Sequence, residues 1–262
     1  MSKFNSHLYI PDVQAKPGVK LDHLKACGNY IVAKRPDTII LAGDFADMPS
    51  LSQYETIGSK VTEGQRYTDD IAFAWEAMNT LMAPLYEYNS NRAKNKKRQY
   101  HPRLVCTLGN HEWRIVRAIE KNPRHFEGVI SLDDLPFEKY GWETYPYQHI
   151  VDIDGILYSH MFINPDSLLK SALSGTVENR LSKLKRSFTQ GHQQIFKYGL
   201  GHDAVGRRFH GLVAGLFTMH DEDYLGPQGN GDWRGIIMKK EVHDGTYDPQ
   251  FLSVNYLLRE WL

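Results

Sequence analysis

Cysteine is nearly absent: Cys27 and Cys106 are the only two, far apart and outside any Cys-x-x-Cys spacing. That excludes a multi-disulfide scaffold and leaves either one lone disulfide or, as expected here, two reduced buried thiols in a cytoplasmic setting. Net charge is absent too, with 31 Lys plus Arg against 31 Asp plus Glu. No overall field therefore draws the chain to nucleic acid or membrane, and any such contact has to come from a local patch. No stretch approaches the ~18 apolar residues of a bilayer span. Residues 1–5 are polar and lack the apolar core of a signal peptide. Repeats, low-complexity tracts and linkers are missing as well, so one domain over residues 1–262 is expected. What the chain does have is 41% hydrophobic residues, enough for a core, and 12 histidines.

Short apolar runs punctuate the first half. His7–Ile10 reads as a buried strand stopped at Pro11–Asp12, Thr38–Ala42 as a second ending at Gly43–Asp44, and Leu104–Leu108 as a third ending at Gly109–Asn110–His111. Between them, Leu21–Arg35 and Asp69–Tyr88 carry apolar residues at helical spacing, with Ile71, Trp75, Met78, Leu81 and Met82 as the core face of the latter. Strand–helix–strand–helix–strand is the pattern of a parallel sheet with crossover helices. The second half is richer in strands. Gln148–Ile153 and Gly155–His160 flank an Asp154–Gly155 turn, a hairpin signal. Val177–Leu184 reads as a short helix and Ser187–Gln190 as a strand ending at Gly191–His192. Phe209–Phe217, Gly235–Val242 and Gln250–Asn255 read as further strands. The expected fold class is α/β, a layered β-sandwich with flanking helices. Two segments stand out: residues 48–68 as a lid insertion over a site, and a basic loop at 91–103.

Four strand ends share one character, a short polar cluster: Asp12-Val13-Gln14, Gly43-Asp44-Phe45-Ala46-Asp47, Gly109-Asn110-His111-Glu112 and Gly191-His192-Gln193-Gln194. A fifth, Ser159-His160, ends the hairpin. Ligands of α/β sheets gather at the carboxyl ends of strands, so these clusters can converge in one crevice. Their oxygen and imidazole donors suit Mn, Mg, Fe or Zn. Taken singly, Asp44, Asn110 or His192 reads as an ordinary loop residue capping a helix; the ordered set carries the signal.

That order resembles the calcineurin-like metallophosphoesterase superfamily, whose pattern is DxH, GDxxD, GNH(D/E), H, GHxH, over Asp12 to Gln194. The wording around Ile10–Gln14 and Asp44–Ser50 is similar to members carried by bacteriophages, which would put the chain in a host cytoplasm. The resemblance implies a four-layer α/β/β/α fold and a hydrolase that cleaves phosphate esters with a metal-activated water. It implies two divalent ions about 3.5–4 Å apart, bridged by Asp44. One would take Asp12, Gln14 and Gln194, the other Asn110, His160 and His192. His111 would stabilise the transferring phosphoryl group or protonate the leaving oxygen, with Asp47 orienting its imidazole; alternatively Asp47 merely caps the next segment.

Two departures follow. Gln14 and Gln194 stand where the family has histidines, and a neutral amide oxygen is a weaker, harder donor than imidazole. The first site is therefore expected to be labile, with manganese favoured over Mg, Fe or Zn. Met48 stands where the family's protein phosphatases have arginine, which directs the expectation to a phosphodiesterase or nuclease with a nucleotide-derived or DNA substrate. A phosphatase-type monoesterase and a catalytically degenerate metal-binding scaffold remain the alternatives. Arg114, Arg207 and Arg208 are candidate grips for phosphate oxygens, or surface ion pairs. The run Arg92, Lys94, Lys96, Lys97, Arg98 and Arg103 reads as a solvated loop, or else as a phosphate-backbone contact near the site. His220–Asp223 reads as a solvated turn.

Overall fold

The computed structural model describes residues 4–52, 63–222 and 225–262. Strands β1 (Asn5–Ile10), β2 (Thr38–Leu41) and β3 (Arg103–Thr107) pair in parallel, and β4 (Glu143–Tyr145) adds to β3 in the same sense. β10 (Gly235–His243) and β11 (Thr246–Ser253) complete this first sheet on the other side, antiparallel, in the order β11-β10-β1-β2-β3-β4. The second sheet has the order β5-β6-β7-β9-β8. Its β6 (Ile156–Tyr158), β7 (Ser187–Gln190) and β9 (Arg208–Ala214) are parallel, and β5 (Val151–Ile153) and β8 (Phe196–His202) are antiparallel edges.

Period-two alternation assigns each sheet its two faces. Leu8, Ile10, Ile39, Leu41, Leu104 and Cys106 pack outward under α1 (Asp22–Lys34), α2 (Tyr67–Lys94) and α7 (Val254–Trp261). The intervening Tyr9, Ile40 and Val105 face the second sheet, meeting Ile156, Tyr158, Leu212 and Ala214. Phe188 and Val213 point to the far side, where α5 (Val177–Leu184) covers them with Val177 and Leu181. Helix, sheet, sheet and helix make the four-layer α/β/β/α fold. Strands buried on both faces need apolar residues at every position, so the runs in the sequence are continuous rather than alternating. Cys27 and Cys106 are both buried and free.

The seam between the sheets also carries polar pins. Lys239 of β10 is fully buried, and its Nζ donates to Thr189 Oγ1 at 2.5 Å and Tyr158 Oη at 3.1 Å across the gap. Burial holds its pKa well below the ordinary lysine range. His7 of β1 reaches across in the same way, 2.8 Å from Tyr158 Oη and 2.9 Å from Asp154 Oδ2 in the β5–β6 turn.

Several expectations are corrected. The second helix runs on to Lys94, so Arg92 and Lys94 sit on its last turn rather than in a loop. The remainder of 91–103 folds back, Tyr100 receiving and giving hydrogen bonds with Asn89 and donating to Pro36 O. Pro36 and Arg103 mark the amino ends of β2 and β3, so the basic run lies at the end of the sheet opposite the motif loops. Trp75 is 36% exposed, on the flank of α2, with its indole N–H donating to Asp134 O rather than entering the core. The last strand stops at Ser253, whose hydroxyl accepts from Tyr256 N and starts α7. Elements without a sequence expectation include α3 (Trp113–Lys121), the short helices α4 (Pro123–Phe126) and α6 (Gly226–Asn230), β4 and the glycine-interrupted edge strand β8. Of the expected lid at 48–68, residues 53–62 lie outside the described residues, Pro49–Leu51 form a 3-10 turn, and Tyr67 already opens α2. No described helix is long and apolar enough to cross a membrane.

Burial predicts the acid response of the fold. Burial, reinforced by the charge of Lys239, lowers His7 from 6.5 to about 4, and burial, then His220, lowers His23 to about 3. The unfolded chain takes up these protons below about pH 6.5 while the folded chain refuses them. Stability is therefore complete above that pH and is lost as pH falls toward 4. The urea midpoint should drop over this window, and His23→Leu should make the drop shallower. An equally steep curve in the variant would refute the assignment.

Candidate metal centre

The parallel strands of both sheets deliver their carboxyl ends to one edge of the seam. After β1 the chain bends through Asp12, Val13 and Gln14, with Val13 N and Gln14 N donating to Asp44 O at 3.1 and 2.8 Å. The loop after β2 brings Asp44 alongside the loop after β3, and Phe217 N donates to Asp12 O from the segment after β9. Backbone strain concentrates here: Gln14, Asp44, Met48, His192 and Gln194 all have left-handed φ between 47° and 67°. Non-glycine residues adopt this region rarely, and they hold it where surrounding bonds enforce it. Two glycines give room for carboxylates. A Cβ on Gly109 would lie 2.0 Å from Asp44 Oδ1, and one on Gly191 would lie 2.1 Å from Asp12 Oδ1.

One cluster of donors results. Asp44, His160 and His192 each place a ligand atom within 4.8 Å of the others'. Asn110 Oδ1 stands 3.0 Å from His160 Nε2 and 2.7 Å from His192 Nδ1, and Asp44 Oδ2 is 3.3 Å from His160 Nε2. The far nitrogen of His160 faces Ala42 O at 2.8 Å, the carbonyl partner that usually orients a ligating imidazole. With Nδ1–H spent there, a neutral His160 turns a lone pair toward two oxygens. Such a knot of acceptors needs a cation or a proton in its midst. Without metal the proton fills that need: burial opposes the charge, but the carboxylate of Asp44 outweighs it and raises His160 to about 9. His192, by contrast, is lowered to about 4 by burial and by the charge of His160. The donor set therefore fits a divalent ion at Asp44, Asn110, His160 and His192.

Asp12 belongs to the same edge. It is fully buried and accepts from His192 N at 3.0 Å, while burial, despite His160, raises it to about 7. Gln14 and Gln194 are buried residues of the loops that also carry Asp12 and His192. His111 meets Asp47, Nδ1 lying 2.6 Å from Asp47 Oδ1, with Nε2 3.7 Å from Asp44 Oδ2.

The arginines divide. Arg114 is buried, not a surface ion pair: Nη1 donates to Asp47 O at 2.8 Å and Met48 O at 3.1 Å, and Nη2 lies 3.3 Å from His111 Nε2. Arg207 and Arg208 stand at the amino end of β9, about 20 Å of strand from its site end. Arg207 pairs there with Asp203 at 3.1 Å, so neither residue is brought to the cluster.

Sequence reading passed over two groups. Glu112 is fully buried, and its carboxylate accepts three backbone N–H groups: Asp44 at 2.9 Å, Ala46 at 3.0 Å and Gly109 at 2.8 Å. Its place as the fourth residue of Gly-Asn-His-Glu was the available signal. Glu222 is buried rather than in a solvated turn. Lys16 Nζ clasps it at 2.6 and 2.7 Å, His220 Nε2 lies at 2.8 Å, and Lys16 also reaches Asp47 Oδ2 at 3.3 Å. Nothing in the spacing of residues 16 and 222 announces that pair; Asp223 lies outside the described residues.

Glu112→Ala would strand three buried donors, each costing about 1–3 kcal/mol. A loss of roughly 3 kcal/mol or more is expected in urea unfolding at unchanged slope. A loss below about 1 kcal/mol would show that the loops hold without the carboxylate.

Compared with known proteins, residues 8–213 match the sequence model of the calcineurin-like phosphoesterases. No curated protein matches the chain. The matched span runs from β1 to the end of β9 and takes in every strand end that supplies the donor cluster. The chain accordingly belongs to the calcineurin-like phosphoesterase family, hydrolases that cleave phosphoesters with two metal ions.

Proposed function

We propose that the chain is a phosphodiesterase or nuclease acting on nucleotide-derived or nucleic-acid substrates. Asp44 would bridge the two ions; Asp12, Gln14 and Gln194 would hold one, and Asn110, His160 and His192 the other. When bound, such ions polarise the phosphoryl group and activate water for in-line attack. The observation that carries the reading is the His111–Asp47 pair, with Nδ1 anchored at 2.6 Å and Nε2 turned toward the donor cluster. Burial opposes the charge on His111, but the carboxylates of Asp44 and Asp47 raise its pKa. When His111 is charged its Nε2 carries a proton toward the donor cluster, and Arg114 Nη2, itself a donor 3.3 Å away, then stands beside it as a neighbouring cation rather than as a hydrogen-bond partner. A degenerate scaffold would have no use for an acid so placed.

The preference for a diester rests on cation supply. Met48 is fully buried in the apolar cluster, where the family's protein phosphatases carry an arginine. Arg114 is engaged by two backbone carbonyls. Neither position then offers a free guanidinium to neutralise the second negative charge of a monoester. Manganese is the proposed ion, because the two glutamine amides lower the affinity of the first site for zinc or iron. The likeness of the first motifs to bacteriophage members, and a host cytoplasm as the compartment, belong to the same reading.

Two measurements test it. With Mn, bis-p-nitrophenyl phosphate should be hydrolysed faster than p-nitrophenyl phosphate, and His111→Ala should lower kcat on the order of 100-fold or more. The reverse preference would refute the diesterase, and full activity of the variant would refute the acid. Metal analysis after dialysis should find one retained ion and one lost. Two zinc ions held equally would overturn the asymmetry.

A further inference from the structure

Beside the donor cluster lie two partly exposed aromatic rings. Trp113 opens α3 directly after His111 and Glu112, and Tyr147 lies in the crossover from β4 to β5. Their ring centroids are 6.4 Å apart, tilted by 38°, and Tyr147 lies 6.0 Å from the ring of His160. Among the described residues neither ring belongs to any of the three apolar clusters, and both are partly exposed. Burial in the core thus does not explain them. Tyr147 Oη is 3.4 Å from Met161 Sδ, which anchors one edge of its ring. Arg117, four residues on from Trp113 and so on the same face of α3, donates from Nη2 to Asn110 O at 2.5 Å. Its Nε is buried without a hydrogen-bond partner.

We propose that Trp113 and Tyr147 form a stacking shelf for a nucleobase attached to the phosphate at the donor cluster, with Arg117 beside them facing its backbone. This deepens the diesterase reading and rests on it for the identity of the reacting group. Aromatic faces with a guanidinium one helical turn away, beside a phosphate site, suit a nucleotide unit, because every base has a π-face and a cation favours its phosphates. A simple alkyl or sugar phosphate would leave the shelf unused.

The test separates binding from hydrolysis. Calorimetric titration of the whole chain with Mn should show thymidine monophosphate binding at least about tenfold tighter than deoxyribose phosphate, the scale of one stacked base. Trp113→Leu and Tyr147→Leu should each remove most of that advantage while leaving the sugar phosphate affinity and the melting temperature unchanged. Trp113→Tyr should restore part of it. Equal affinities in the unaltered chain would overturn the shelf, as would variants that weaken both ligands alike.

Kinetics then address the reading beneath it. The p-nitrophenyl ester of thymidine monophosphate should show a lower KM than methyl p-nitrophenyl phosphate, and Trp113→Leu should raise the first KM with little change in kcat. A base preference in binding without hydrolysis of either ester would refute the diesterase and keep the shelf. Hydrolysis of both with equal KM would do the reverse. Oligothymidylate cut in preference to the mononucleotide ester identifies a nucleic-acid strand as the source of the base, and the opposite order a free nucleotide.

Discussion

The carboxylate of Glu112 holds the centre of this molecule together. It sits where the loops after β2 and β3 meet, and three backbone N–H groups converge on it. One of those groups is the amide of Asp44 itself and another that of Ala46, and Asp44 Oδ1 accepts from His111 N at 2.8 Å. Asp44 is thus fixed from both ends, by its own amide and by its carboxylate. The left-handed backbone that the Asp44 loop adopts is unfavourable on its own and stands because these bonds over-determine it. Charge-assisted bonds in a buried setting are among the stronger ones available, and here they replace a regular secondary structure that the loops lack. Asn110 and His111 inherit their positions from the same knot.

A second layer of charge surrounds the His111–Asp47 pair. Asp47 faces His111 on one oxygen and Lys16 on the other, while Arg114 grips its carbonyl. Lys16 in turn is shared with Glu222, which comes from the far end of the chain. The pair therefore depends on segments more than two hundred residues apart, and the last of these lies beyond the span that the family model matches. A local motif sets out these contacts, and segments distant in sequence complete their electrostatics.

How far the sequence disclosed this differs by the kind of contact. Strands β1, β2, β3 and β7 and helix α5 were legible, because each is bounded by proline, glycine or a charge and buried on a consistent face. The polar clusters at their ends were legible as a set, since parallel strands direct their carboxyl ends to one edge. β8 was not, because its two glycines dilute the alternation, nor was α7, whose start rests on the single hydroxyl of Ser253. Lys16 and Glu222 could not be paired, since tertiary ion pairs leave no periodic trace. Arg207 and Arg208 looked suitable for phosphate by composition alone; only strand direction shows that they stand at the wrong end of β9. Trp75 followed the helical spacing but fell on its margin, where the indole N–H found a carbonyl.

Lys239 gives the fold an unusual alignment device. Its buried amine touches Thr189 and Tyr158, which lie three and two residues upstream of His192 and His160. Asp12, Asp44 and Asn110 follow strands of the first sheet, and the two histidines follow strands of the second. Oily surfaces slide past each other with little resistance, whereas a directional polar contact fixes a lateral offset. The amine therefore acts as a dowel between two plates: it sets the phase of the histidine half of the donor cluster against the carboxylate half, from a point no solvent reaches.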